Sequence, residues 1–257
     1  MKKLFVFDID GTLIDPKTHK MPESTLKALA ILRNQGHILG IATGRNKTQV
    51  QKALDYTYFD LAIMCNGGYV EINGKVIINE QFNHSEKIKV VNEIEKNNLI
   101  YGIMTHDNIY AINTKSDKVK KVIDYYNINF PIEASNLIEK DVYQFNIYED
   151  IDTIPLLSLS KDEYIINTYG CYGYDIVLSR VTKGSALSKL LKYLNIAKND
   201  CYAFGDADND ITMLKNAGFG VAMGNALEQV KAHANYITND VSNNGIYNAL
   251  VKLGFIK

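Results

Sequence analysis

The chain has 257 residues, 28 Lys and Arg against 29 Asp and Glu for a net charge of −1, and 46% hydrophobic residues. At roughly 100–200 residues per domain, this is enough chain for one large or two moderate domains with a proper core, and it is too apolar and too weakly charged for wholesale disorder. The balanced charge leaves no basic footprint, which argues against nucleic acid as a partner.

Met1-Lys2-Lys3 ahead of Leu4–Phe7 opens like an export signal. Asp8 and Asp10 end that apolar run far short of the roughly 7–15 residues a signal needs, so Leu4–Phe7 reads as a buried first strand. No run approaches the roughly 20 apolar residues that span a bilayer. The expectation is a cytoplasmic protein with no membrane partner. Cys65, Cys171 and Cys201 include no Cys-x-x-Cys pair and read as reduced, buried thiols.

Glu23–Gln35 carries Leu26, Leu29, Ala30 and Leu32 on a helical stripe, with Pro22 at its start and Gly36 at its end. Ile38–Ala42 is the next apolar run, Asn46–Tyr56 a further helix, and Leu61–Met64 a third strand before Asn66-Gly67-Gly68. Tyr69–Ile72 and Lys75–Ile78 flank Asn73-Gly74, the dipeptide a two-residue hairpin turn demands. Strands separated by helices predict a doubly wound, parallel α/β sheet with a Rossmann-like core.

From about Phe82 the texture changes. His84–Asn97 and Asp117–Tyr126 read as amphipathic helices, Tyr101–Thr105, Asn108–Asn113 and Val142–Tyr148 as alternating strands, Ile151–Leu159 as a helix, and Tyr164–Thr168 and Asp175–Leu178 as strands. Alternation marks sheets with one solvated face. Helix followed by strands recurs, which predicts an α+β insert with an internal duplication. After Val181 the first rhythm returns: helix Thr182–Leu194, strand Cys201–Phe204, helix Asn209–Asn216, strands Phe219–Ala222 and Tyr236–Ile237, and a helix through Ile246–Leu253. The predicted organisation is therefore a core of residues 1–81 and 181–257, with residues 82–180 inserted as a lid-like cap. Edges of an antiparallel cap sheet can pair or stay solvated, so a monomer and a small homo-oligomer both remain open.

In an open α/β sheet, ligands bind beyond the carboxyl ends of the strands. Beyond Leu4–Phe7 come Asp8 and Asp10, beyond Ile38–Ala42 come Thr43-Gly44-Arg45, and beyond Cys201–Phe204 come Asp206, Asp208, Asn209 and Asp210. Such residues favour turns, so any one cluster means little. Three clusters suited to phosphate or a hard cation, on three strand ends, mean more. Asp8 and Asp10, two apart, can face one site, and Asp206 and Asp210 add charge that a divalent cation would neutralise. Mg²⁺ fits an all-oxygen site shared with a substrate phosphate, whereas the 206–210 run lacks the glycine and glutamate spacing of a helix-loop-helix calcium site. Thr43 and Gly44 offer a hydroxyl and an N–H to an anion. Lys183 opens a helix, where the macrodipole disfavours a cation unless an anion binds there too. The five histidines have no metal-ligand spacing.

These motifs, Asp8-Ile9-Asp10-Gly11-Thr12, Thr43-Gly44-Arg45, Lys183-Gly184 and Gly205-Asp206-Ala207-Asp208-Asn209-Asp210, in this order with the insert between the second and third, resemble the haloacid dehalogenase-like hydrolase superfamily. The place and texture of the insert resemble its Cof-type sugar-phosphatase branch with a type IIB cap. The resemblance spans nearly the whole chain and implies a Mg²⁺-dependent phosphatase acting on small phosphorylated metabolites. It implies Asp8 as nucleophile forming an aspartyl-phosphate and Asp10 as acid and base, with the Asp10 backbone carbonyl on the cation. Thr43, Gly44, Lys183 and Asn209 would hold the phosphoryl group. Asp8 and Asp206 would ligate Mg²⁺, with Asp210 ligating it or standing behind it. Arg45, Asn66, Arg180, Tyr169, Tyr172 and Tyr174 are candidate substrate contacts. An acid at position 10 favours ester cleavage over dehalogenation. A phosphomutase would share the core residues, and a sugar-phosphate-binding regulator could keep the fold without turnover. A receiver domain has about half this length, and no P-loop motif is present.

Overall fold

In the computed structural model of the chain, which describes residues 2–54, 57–126, 128–168 and 170–257, all four side chains of strand β1, Leu4–Phe7, are buried. A strand apolar at every position belongs in the middle of a sheet covered on both faces. Leu4 and Val6 join a core with Leu187, Leu190, Met213 and Leu214 on one side. On the other, Phe5 stacks on Tyr202 at 5.1 Å and Phe7 on Phe204 at 4.9 Å between ring centroids.

Two compact units form: Met1–Gly44, Tyr56–Asn79 and Thr182–Lys257 make the first, Arg45–Asp55 and Glu80–Val181 the second. In chain order, β1 is followed by α1 (Glu23–Asn34), β2 (Ile38–Ala42), α2 (Lys47–Ala53, in the second unit), β3 (Leu61–Met64), β4 (Tyr69–Ile72) and β5 (Lys75–Asn79). The second unit continues with α3 (His84–Lys96), β6 (Tyr101–Met104), β7 (Ile109–Ala111), α4 (Asp117–Tyr126), β8 (Ile132–Glu133), β9 (Gln144–Asp150), β10 (Tyr164–Thr168) and β11 (Tyr172–Leu178). The first resumes with α5 (Lys183–Leu194), β12 (Cys201–Gly205), α6 (Ile211–Asn216), β13 (Phe219–Ala222), α7 (Glu228–Lys231), β14 (Tyr236–Ile237) and α8 (Gly245–Lys252).

The first unit's sheet has the order β14-β13-β12-β1-β2-β3-β4-β5. The strands from β14 to β3 are parallel, while β4 and β5 run antiparallel at one edge. Asn73 and Gly74 join β4 to β5 with φ of 47° and 77°, the two positive values a type I′ turn requires. From β1 the chain winds one way through β2 and β3, and later the other way through β12 and β13. That reversal makes a topological switch point between β1 and β12, the place where open α/β sheets bind ligands beyond the strand ends.

The second unit's sheet has the order β10-β11-β9-β6-β7-β8. Phe145, Ile147, Tyr174 and Ile176 pack with Val90 and Ile94 of α3, and Tyr148, of opposite parity on β9, packs with Val119, Val122 and Ile123 of α4. Of the two predicted strand pairs, β6 with β7 and β10 with β11 each run antiparallel, and β7 also pairs in parallel with β8. The predicted helix at 151–159 is a 3₁₀ segment over Ile151–Leu156 with Pro155 inside it, because proline removes a donor that an α-helix needs. Residues 45–55, expected in the core, belong to the second unit, where the Lys47 N–H donates to the His106 carbonyl at 2.8 Å. The end of the helix predicted over 46–56 lies outside the described residues. Cys171, expected to be buried, is exposed in the turn before β11, while Cys65 and Cys201 are buried. Among the described residues no helix is long and apolar enough to cross a membrane.

Candidate active site

Asp8 leaves β1 beside β12, and its N–H donates to the Phe204 carbonyl at 2.9 Å, which continues the strand pairing into the site. Its side chain is buried. Lys183, at the first position of α5, is only 1% exposed. Its Nζ donates to Asp8 Oδ1 at 2.6 Å and to Asp210 Oδ1 at 2.7 Å. The helix start is fixed by Thr182, whose hydroxyl accepts from the Ser185 N–H at 3.0 Å while its own N–H donates to Ser185 Oγ at 3.0 Å.

Asp210 Oδ2 accepts the backbone N–H groups of Asp206 and Ala207, both at 3.0 Å. Both Asp210 oxygens are therefore engaged, one by an ammonium and the other by the turn that carries Asp206. Gly205 has to lack a side chain here, since a Cβ would stand 2.5 Å from that of Asp210. The Thr12 hydroxyl donates to Asp206 Oδ1 at 2.7 Å. Gly11, with φ of +82°, lets the loop after β1 pass against Asp206, whose Oδ2 would lie 2.2 Å from any Cβ there. Asp10, two residues after Asp8, is exposed, so one acid of the pair is dry and the other meets water.

A second group of residues sits at the ends of β2 and β3. The Asn66 N–H donates to the Thr43 carbonyl at 3.0 Å, and Asn209 Nδ2 donates to Asn66 Oδ1 at 3.0 Å. Asn66 is held at φ of 55°, and its amide fills the space beside Gly44, 3.2 Å from where a Cβ would be. Among the described residues, Asn209 Oδ1 is buried without a partner, an acceptor left over beside Thr43, Gly44 and Asn66.

Three carboxylates face a single ammonium. Burial first, and then the Asp210 carboxylate, push the Asp8 carboxyl well above the usual range. Burial likewise pushes Asp206 up to about 7, against the Thr12 hydrogen bond. Burial opposes the charge on Lys183, but Asp210 and Asp8 outweigh it and hold the amine above the ordinary lysine range. The surplus acid suits a cation: Asp8, Asp206 and Asp210 each offer an oxygen within 4.8 Å of the others. An all-oxygen, hard donor set of this kind fits Mg²⁺.

A carboxylate with a raised folded pKa stabilises the fold most below its unfolded pKa and loses that contribution as pH rises through the folded value. Chelator-treated protein is therefore expected to melt at progressively lower temperature as pH rises from about 5 to about 7.5, and Asp206→Asn to flatten that slope. Melting curves of the two proteins decide this, and equal slopes would remove Asp206 as a site of surplus charge.

The family model for haloacid dehalogenase-like hydrolases matches residues 5–250. The chain belongs to this family. It is 30% identical over 264 residues to the pyridoxal phosphate phosphatase YbhA of Escherichia coli (strain K12), covering 95% of this chain and 96% of that one. The solved haloalkanoate-superfamily phosphatase BT1666 from Bacteroides thetaiotaomicron matches with a TM-score of 0.89 and 27% identity, over 100% of this chain and 96% of that one. The subclass IIB sugar phosphatase BT4131 matches with a TM-score of 0.86 and 30% identity, over 99% and 100%. The haloacid dehalogenase-like fold and its hydrolase class, that of a phosphoric monoester hydrolase, are therefore those of this chain.

Within that fold, Asp8, Lys183, Asp206 and Asp210 come together directly, with Thr43, Gly44, Asn66 and Asn209 joined to one another beside them. Arg45 and Arg180 lie in the second unit. There Arg45 Nη1 donates to the Gln49 carbonyl at 3.4 Å. Arg180 forms a two-pronged ion pair with Glu86 at 2.7 and 3.2 Å. Tyr174 is 1% exposed in the second unit's core with its hydroxyl on Thr153 at 3.0 Å, so it packs the unit instead of lining a surface. A register shift between Tyr172 and Tyr174 turns Tyr172 to α4, where it meets Tyr125 at 5.2 Å and carries Lys121 Nζ over its ring. Tyr169 lies outside the described residues. Thr12 and Asn225, which hold Asp206, carried no assigned role in the sequence; Thr12 stands inside the aspartate motif, but nothing local to Asn225 signals its task.

Proposed function

We propose that the protein hydrolyses small phosphate monoesters, such as sugar phosphates or phosphorylated cofactors, through an aspartyl-phosphate on Asp8. The observation that carries this reading is the buried Lys183 ammonium fixed 2.6 Å from Asp8 Oδ1. It holds a cation where a phosphoryl oxygen must come as the carboxylate attacks.

Asp8 attacks phosphorus in line, forming a P–O bond as the bond to the leaving oxygen breaks. Asp10, exposed and able to reach solvent-borne groups, delivers its proton to the leaving alkoxide. In the second step Asp10 takes a proton from water, the water oxygen attacks phosphorus, and phosphate leaves with Asp8 regenerated. Lys183, the Thr43 hydroxyl, the Gly44 N–H and Asn209 bind the phosphoryl oxygens. Asp210 orients Lys183. Asp8, Asp206 and the Asp10 carbonyl would hold Mg²⁺, which when bound supplies further neutralisation of phosphoryl charge. The second unit takes the part of a cap and selects the substrate. The small phosphorylated compound named for the Escherichia coli relative, and the sugar phosphatase among the structural neighbours, support this substrate class.

The test is phosphate release from p-nitrophenyl phosphate and a panel of sugar phosphates and pyridoxal phosphate, with Mg²⁺ and with EDTA. Release that needs Mg²⁺ is expected, and undiminished release in EDTA would remove the cation from the reading. Folded protein that releases nothing across the panel would favour a phosphomutase or a binding protein instead.

A further inference from the structure

Asn225 lies in the turn after β13 and is exposed, yet both ends of its amide bond to protein although water is at hand. Its Nδ2 donates to the Gly11 carbonyl at 2.9 Å and stands 3.5 Å from Asp206 Oδ2. Its Oδ1 accepts the Val241 N–H at 2.9 Å. One side chain thus ties together three segments that are far apart in sequence: the loop carrying Asp8 and Asp10, the turn carrying Asp206, and the backbone at Val241.

The turn is built to bring it there. A Cβ on Gly224 would meet Asp240 Oδ1 at 2.4 Å and the Asp240 nitrogen at 2.6 Å, so the residue before Asn225 has to be glycine for the turn to lie against Asn239 and Asp240. The Met223 N–H donates to the Gly205 carbonyl at 3.0 Å, anchoring the turn to the end of β12. Thr12 donates to Oδ1, the other oxygen of the same Asp206 carboxylate, at 2.7 Å.

We propose that Asn225 is a positioning residue for the cation site, which fixes Asp206 against the Asp8–Gly11 loop so that their oxygens converge before a cation arrives. This rests on the reading of Asp8 and Asp206 as the cation's ligands. Partners that orient ligands without touching the metal commonly set affinity by about tenfold to a hundredfold. An exposed asparagine with a merely structural role would alter folding and leave cation affinity alone.

The experiment is calorimetric titration of chelator-treated, dialysed protein with MgCl₂, for the wild type, Asn225→Ala and Asn225→Ser, the serine keeping a polar group near the Val241 N–H. Melting temperatures of the three metal-free proteins are taken alongside. Both variants are expected to bind Mg²⁺ about tenfold more weakly or worse, with melting temperatures close to that of the wild type. In turnover, the Mg²⁺ concentration for half-maximal rate is expected to rise in step, with kcat at saturating Mg²⁺ little changed. Unchanged Mg²⁺ affinity beside a wild type that binds would overturn this role and leave the cation reading standing. So would failure of both variants to fold, since Asn225 would then serve the fold. A wild type that binds no Mg²⁺ would overturn the cation reading itself, and this role with it.

Discussion

Asp8→Asn is expected to lower phosphate release by at least about a thousandfold, since an amide cannot take the place of an attacking carboxylate. The same change is expected to leave the fold intact. Asp8 is one of three carboxylates around one ammonium, and burial already pushes its pKa well up. Removing its charge relieves surplus acid, while Lys183 keeps Asp210 at 2.7 Å as its partner. The metal-free variant should therefore melt no lower than the wild type at about pH 7.5, where the wild-type surplus costs most. Release rates and melting curves on the same preparations separate the two effects. A variant retaining activity within about tenfold would exclude Asp8 as nucleophile, whatever its stability.

The residues of the candidate site stand where a sequence can mark them. Strands β1, β2 and β12 are short apolar runs whose ends are marked by a change to Asp, Thr, Asn or Gly, and a parallel sheet gathers such ends on one edge. Lys183 was legible for a different reason, as a cation at a helix start where the macrodipole disfavours it. Its partners explain the anomaly: Asp8 and Asp210 stand in for the anion that the position called for. What could not be read depended on contacts remote in sequence. Asn225 reaches Gly11 across 214 positions, and no local pattern distinguishes it from any turn asparagine. Arg45 and Arg180 stand out in the sequence as charges beside motifs, and their partners Gln49 and Glu86 in the second unit leave no trace there. Tyr174 shares strand parity with Ile176 and Leu178 and faces inward, and the irregularity at Gly173, φ of 72°, frees Tyr172 from the same face.

Lys183→Met is expected to abolish turnover and to destabilise the metal-free protein by about 3–5 kcal/mol near neutral pH, the usual cost of removing one member of a buried ion pair. The side chain is 1% exposed and Asp210 is fully buried, so no water replaces the lost ammonium. The remaining carboxylates can escape only by taking up protons, which predicts that the loss shrinks as pH falls toward about 5. The double variant Lys183→Met with Asp210→Asn divides structure from chemistry. Asparagine at 210 keeps an oxygen for the N–H groups of Asp206 and Ala207 and carries no charge, so much of the stability should return, as it does when both members of a buried pair go together. Activity should not return with it, because the Lys183 ammonium no longer meets the phosphoryl oxygens. Denaturant titration of the three proteins at two pH values, with phosphate release on each, gives both readings. Recovery of turnover in the double variant would mean that Lys183 serves only to neutralise Asp210, and the charge opposite the attacking carboxylate would have to come from elsewhere in the site.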